Sequence, residues 1–164
     1  MNELDQMLGR LPSPNRERCL RLWSDNSDRF NEACGSSHNH QAWVGGYLDH
    51  ITDVMQIAET IYAPLASLRS LPFSASDACL VLFLHDLEKP WKSERDLKDK
   101  AKKRAFRASK IAEYGITLSP EQENALLYVE GEGDDYRSDR RVMNELAAFC
   151  HMCDVASARI WHSV

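Results

Sequence analysis

The sequence predicts an all-α protein, a single compact bundle of about six to eight helices. Three observations lead there. Alternation of β-branched residues is nearly absent along the chain. Leu48, Ile51, Val54, Met55, Ala58, Ile61 and Tyr62 recur at the spacing of one helical face. Paired start signals also recur, the clearest being Ser119-Pro120-Glu121-Gln122, with a serine cap, a proline at the first helical position and a glutamine to close the capping box. With 164 residues, 43% hydrophobic and 27% charged, the chain suits one globular domain with its own core. Residues 1–36 read as N-terminal helices and residues 38–160 as the main body.

The elements follow in order. Glu3 to Leu11 forms a short helix stopped by Pro12-Ser13-Pro14. Ser13 can cap the next helix, with Pro14 at its first position. Cys19, Leu20, Leu22, Trp23, Phe30 and Ala33 give one apolar face from Pro14 to Ala33, interrupted near Asn26. Gly35 breaks the chain, and Gly45-Gly46 either weakens helix or lets another backbone come close. The stripe from Tyr47 should stop before Pro64. Ser76 is the expected cap of an apolar helix that Pro90 ends. Residues 94–113 read as an exposed basic helix closed by Gly115, the capping box opens a helix to about Val129, and Asp139 to Ser163 reads as the last helix.

Charge and cysteines narrow the function classes. A net charge of −5 excludes a protein that coats nucleic acid through its overall charge, so an anionic substrate would need a local basic patch. Five cysteines, an odd number, and the lack of an apolar run in residues 1–10 point to reduced thiols and a cytoplasmic protein. Cys150 and Cys153 form one Cys-x-x-Cys, which alone closes no zinc site and reads as buried helix residues. No apolar stretch has the length of a membrane span.

The chemistry concentrates where the run Ala78 to Leu84 ends in His85-Asp86. Burying such groups without partners costs about 2–7 kcal/mol each. Histidine can satisfy the last carbonyls of a helix, but aspartate there opposes the helix dipole. A bound divalent cation resolves the conflict. His50 lies on the buried edge of its stripe, and Asp154 sits among Cys, Met, Val and Ala, with Arg159 as the alternative ion-pair partner. His50, His85, Asp86 and Asp154 thus make two imidazoles and two carboxylates from three helices. That set suits Mn²⁺, Mg²⁺, Co²⁺, Ni²⁺, Fe²⁺ or Zn²⁺.

In this order, His50, then His85-Asp86, then Asp154, the chain resembles the HD superfamily of metal-dependent phosphohydrolases. The likeness runs over roughly residues 38–160 and includes Gly45-Gly46 before His50 and Lys89 after the doublet. The block His38-x-His40 with Gly45-Gly46 and His50 is also similar to exoribonuclease-type HD domains. The resemblance implies hydrolysis of a nucleotide or short-oligonucleotide phosphoester by metal-activated water, with Asp86 binding the ion and orienting the water. Two-metal relatives carry further histidines between the doublet and the last aspartate. This chain has none there before His151 and offers Glu130, Glu132, Asp134 and Asp135, so one cation per chain is expected, with Glu130 as a candidate to position water. Lys89 stands where nucleotidase-type relatives have glutamate, with Glu88 one place early.

Around this centre, Lys89 can meet a phosphate oxygen, and Lys92, Arg95 and Lys103 are the expected substrate contacts within the basic run that follows. His40 is expected at the mouth of the site, and Trp43, Tyr47 and Trp91 can either stack a base or belong to the core. The competing reading is an HD scaffold that binds a nucleotide or docks on a partner without turnover. A homo-oligomer is compatible with either reading.

Overall fold

The computed structural model describes residues 2–36 and 40–161. Among them are eight α-helices and no strand: α1 Glu3–Leu8, α2 Asn15–Asp25, α3 Ser27–Glu32, α4 Gly46–Leu68, α5 Ala75–Leu84, α6 Lys100–Glu113, α7 Pro120–Tyr128 and α8 Glu145–Arg159. Helix α5 is the axis. Every residue from Ala78 to Leu84 is buried, which a helix apolar all round requires. α4, α7 and α8 pack around it, and α1 touches both α4 and α5. Among the described residues no helix is long and apolar enough to cross a membrane.

Side-chain caps set most helix starts. Asn2 and Asp5 form a capping box on α1, and Ser119 and Gln122 form the expected one on α7. The cap of α5 is Ser74, with Asp77 closing the box, rather than Ser76. Asp77 has a second use, since its Oδ1 accepts a 2.7 Å hydrogen bond from Gln122 Nε2 and so ties the starts of α5 and α7 together. Ser13 does not cap α2. The Arg16 N–H is met by the Pro12 carbonyl at 3.0 Å, and Pro14 precedes the helix instead of opening it. Asn26 separates α2 from α3 as expected.

Three boundaries depart further from expectation. Helix α4 continues through Pro64 to Leu68. Pro64 is exposed, and so is Thr60, whose carbonyl loses its donor, so water can take the missing bond while Leu65 still packs on the core. The basic helix starts at Lys100, where Asp99 accepts from the Lys102 N–H at 2.8 Å; before it, Leu97 is buried and holds the chain in turns. The last helix starts at Glu145, capped by Asn144, because residues 136–141 carry no buried side chain. Its expected end at Ser163 lies outside the described residues.

Aromatic packing fixes the N-terminal helices to the body. Phe30 meets Trp23, Tyr47 and Trp91 edge to face with ring centroids 5.4, 5.1 and 6.3 Å apart. Tyr47 and Trp91 are therefore core residues and not base-stacking surfaces; Trp43 alone of the three is exposed.

One close approach explains the paired glycines. Gly46 has no space for a side chain, because a Cβ there would lie 2.0 Å from the Gln41 carbonyl oxygen. That atom cannot move aside, since it accepts the Gly35 N–H at 2.9 Å. Gly46→Ala is expected to lower unfolding free energy by about 3 kcal/mol, the upper end of overpacking costs, read as a lower urea midpoint. A midpoint equal to wild type would show that the turn yields easily.

Candidate metal centre

Three helices bring four ligand-type side chains to one point. His50 stands one turn into α4 and is fully buried. His85 is the C-cap of α5. The chain then tightens, with Leu87 N–H bonding Leu84 O and Lys89 N–H bonding Asp86 O, into a 3-10 turn at Lys89–Trp91. This tightening, not Pro90, ends α5, and it keeps Asp86 buried beside His85. Asp154 arrives from the middle of α8.

The His50 and His85 Nε2 atoms are 3.2 Å apart. Asp86 Oδ2 lies 3.6 Å from the first and 3.4 Å from the second. Asp154 Oδ1 lies 3.2 and 3.6 Å from the same two atoms. A metal–ligand bond of about 2.1 Å separates neighbouring ligand atoms by about 3.0 Å in an octahedron and about 3.4 Å in a tetrahedron. Three of the five edges, at 3.2, 3.4 and 3.2 Å, fall in that interval, and the two at 3.6 Å, His50 to Asp86 and His85 to Asp154, lie just beyond it. His50, His85 and Asp86 form a buried group that can hold a metal ion, with all three ligand atoms within 4.8 Å of one another. Asp154 touches both imidazoles of this group from α8, so Arg159 is not its partner here.

The local field favours positive charge. Burial lowers the basicity of His85, yet the carboxylates of Asp86 and Asp154 outweigh it and raise its pKa to about 9. His50 goes the other way: burial lowers it, and an imidazolium at His85 opposes a second proton close by. Burial pushes the Asp86 and Asp154 carboxyls up, but the imidazoles, with Lys89 for Asp86, hold both well below the usual carboxylate range. A field that favours a proton against burial also favours a divalent cation at the same place.

The outer nitrogens of both imidazoles are engaged. His85 Nδ1–H donates to the Leu82 carbonyl at 2.6 Å, which turns Nε2 to the centre, where it can hold a proton or, once deprotonated, offer its lone pair to a cation. His50 Nδ1 is 3.2 Å from Ser157 Oγ. Lys89 Nζ is 2.5 Å from Asp86 Oδ2, so the helix-end aspartate is paired by a cation one turn on. The His40 ring lies 5.3 Å from the His50 ring, which places His40 beside the centre; His38 lies outside the described residues.

A cleft of about 670 Å³ adjoins the centre through Lys89, with Arg29, Lys92, Ser36 and Cys34 in its wall. Of the expected substrate contacts, Lys92 lines it, while Arg95 and Lys103 do not. Arg29 in the same wall pairs with Glu94 and was not singled out from sequence. Glu130 is exposed just after α7 and is not among the carboxylates that pair with His50 or His85. Arg107 is the clearest correction within the basic run: it is buried and pairs with buried Glu88 at 3.1 Å. Nothing in the spacing of Gln41, Ser157 or this pair marked them, because each acts through a partner remote in sequence.

A scan against protein-family models, a search of curated proteins and a search of solved structures each returned no match to this chain.

Proposed function

We propose that this chain is an HD-type, divalent-cation-dependent phosphohydrolase acting on a phosphoester of a nucleotide or short oligonucleotide. The observation that carries the reading is the pair of buried imidazole Nε2 atoms 3.2 Å apart, each within 3.6 Å of the Asp86 and Asp154 carboxylates. His50, His85, Asp86 and Asp154 would hold one cation. That cation would supply Lewis acidity toward the phosphoryl oxygens. The chain supplies the rest. Asp86 orients the attacking water, and Lys89 beside it neutralises charge on the phosphate from the cleft side. Lys92 and Lys89 bring positive charge to that cleft, whose wall also holds Glu32 and the Arg29–Glu94 ion pair. His40, next to His50, stands where it can meet the ester.

The test is a Mn²⁺-supplemented panel of nucleotides, cyclic nucleotides and short oligonucleotides, scored for released phosphate or shortened product. Turnover of at least one class is expected, with Asp86→Asn lowering it by more than about 1,000-fold and Lys89→Met by about 100–1,000-fold, the scale of losing one charge-stabilising donor. Binding of a panel member without turnover would replace the hydrolase with a nucleotide-binding module on the same scaffold.

A further inference from the structure

Gln41 is the most constrained residue near the centre that the mechanism above leaves unused. It is fully buried, and its backbone sits at φ 48°, in the left-handed region where a side chain such as glutamine is rarely placed. Two glycines hold it there. Gly35 donates to its carbonyl at 2.9 Å, and neither Gly35 nor Gly46 leaves room for a Cβ against it. A strained, buried residue fixed by its surroundings is a reason to ask what it positions.

Its amide answers. Nε2 donates to Asp53 Oδ2 at 2.9 Å and to Ser157 Oγ at 3.3 Å. Asp53 is acceptor-only as a carboxylate, so it fixes which end of the amide faces inward, and Ser157 must receive an N–H. Asp53 lies one turn beyond His50 on α4, and Ser157 lies one turn beyond Asp154 on α8. A single amide therefore spans the two helices just past the ligand each supplies. Ser157 Oγ in turn contacts His50 Nδ1 at 3.2 Å. The Gln41 Oε1 atom is buried with no hydrogen-bond partner, so the placement is not one that merely satisfies the amide.

We infer that Gln41 is a positioning residue for the cation centre: through Ser157 it holds the His50 ring with Nδ1–H outward and Nε2 inward, and it sets the spacing of α4 and α8 at the level of His50 and Asp154. The inference rests on the cation-binding reading above. A supporting hydrogen bond to a ligating histidine is worth about 10–100-fold in metal affinity.

The experiment uses the full chain, Mn²⁺ titration calorimetry, the visible spectrum of the Co²⁺ form and thermal melts in chelator. Gln41→Met keeps the bulk and removes the donor; Ser157→Ala removes the acceptor; Ser157→Thr keeps the hydroxyl. Gln41→Met and Ser157→Ala are each expected to weaken Mn²⁺ binding about 10–100-fold and to alter the Co²⁺ bands. Ser157→Thr should restore both, and the double variant should be no weaker than Ser157→Ala alone, because the two act in series. Affinity within twofold of wild type in Gln41→Met, even with a lowered melting temperature, overturns the inference. So do losses that multiply in the double variant. Should Gln41→Met fail to fold, wild-type affinity in Ser157→Ala overturns it equally. A wild-type chain that takes up neither metal overturns the cation-binding reading itself, and this inference with it.

Discussion

His85→Ala is expected to abolish stabilisation of the protein by divalent cations. His85 Nε2 is the one atom within 3.6 Å of His50, Asp86 and Asp154 alike that sits at the end of the central helix. Its ring is held with Nε2 toward the centre by the 2.6 Å bond to the Leu82 carbonyl. A ligand that binds only the folded chain at 100 times its dissociation constant adds about 2.7 kcal/mol of stability. For a chain of this size about 1 kcal/mol moves the melting temperature by roughly 2–4 °C. Wild-type protein in saturating Mn²⁺ should therefore melt about 5–10 °C higher than in chelator. His85→Ala should melt at the same temperature in both. The variant will also be less stable in chelator, because it leaves the buried Asp86 and half-buried Asp154 carboxylates with one imidazole fewer between them. For that reason the readout is the difference between the two conditions and not either melting temperature. A wild-type chain indifferent to Mn²⁺, Co²⁺ and Zn²⁺ would refute the cation-binding reading outright.

Three of the four candidate ligands were legible in the sequence because each created a local conflict, whereas His50, on the buried edge of an apolar stripe, created none. His85 and Asp86 end an apolar run, and Asp86 stands where the helix dipole disfavours it. Asp154 interrupts a run of small and apolar residues. Such conflicts can be read without knowing the fold. Gln41, Ser157 and Arg107 created none. A serine inside a helix, a glutamine before a turn and an arginine in a basic run are ordinary residues at those places, and only their tertiary partners make them special. Ser157 is 116 residues from Gln41, and Arg107 is 19 from Glu88. The helix boundaries divided along similar lines. Capping boxes with both members in sequence reach were readable at Ser119. The proline rule failed at Pro64 because the rule assumes that the freed carbonyl is buried, and burial is a tertiary property.

Arg107→Met should be among the most destabilising substitutions outside the centre. Arg107 and Glu88 are side chains 7% and 3% exposed, joined at 3.1 Å, so neither charge has water to fall back on. Removing one member of a buried pair leaves the other uncompensated, which costs about 3–5 kcal/mol. The surroundings offer Glu88 little relief. Tyr47 is fully buried, and burial followed by the charges of Asp86 and Glu88 pushes its phenol well above the ordinary value, while its hydroxyl has no hydrogen-bond partner. Glu88 also lies two residues after Asp86, on the same tightened turn. A shift of Glu88 away from its lost partner would therefore disturb the turn that carries Asp86. Two readouts follow. Arg107→Met alone should melt roughly 6–20 °C below wild type and should lose part of its stabilisation by Mn²⁺. Arg107→Met combined with Glu88→Gln should recover most of the melting temperature, because the uncompensated charge is gone, and should recover the Mn²⁺ response with it. If the double variant is no more stable than the single, the loss comes from the packing of the arginine stem against α7 and not from the orphaned carboxylate.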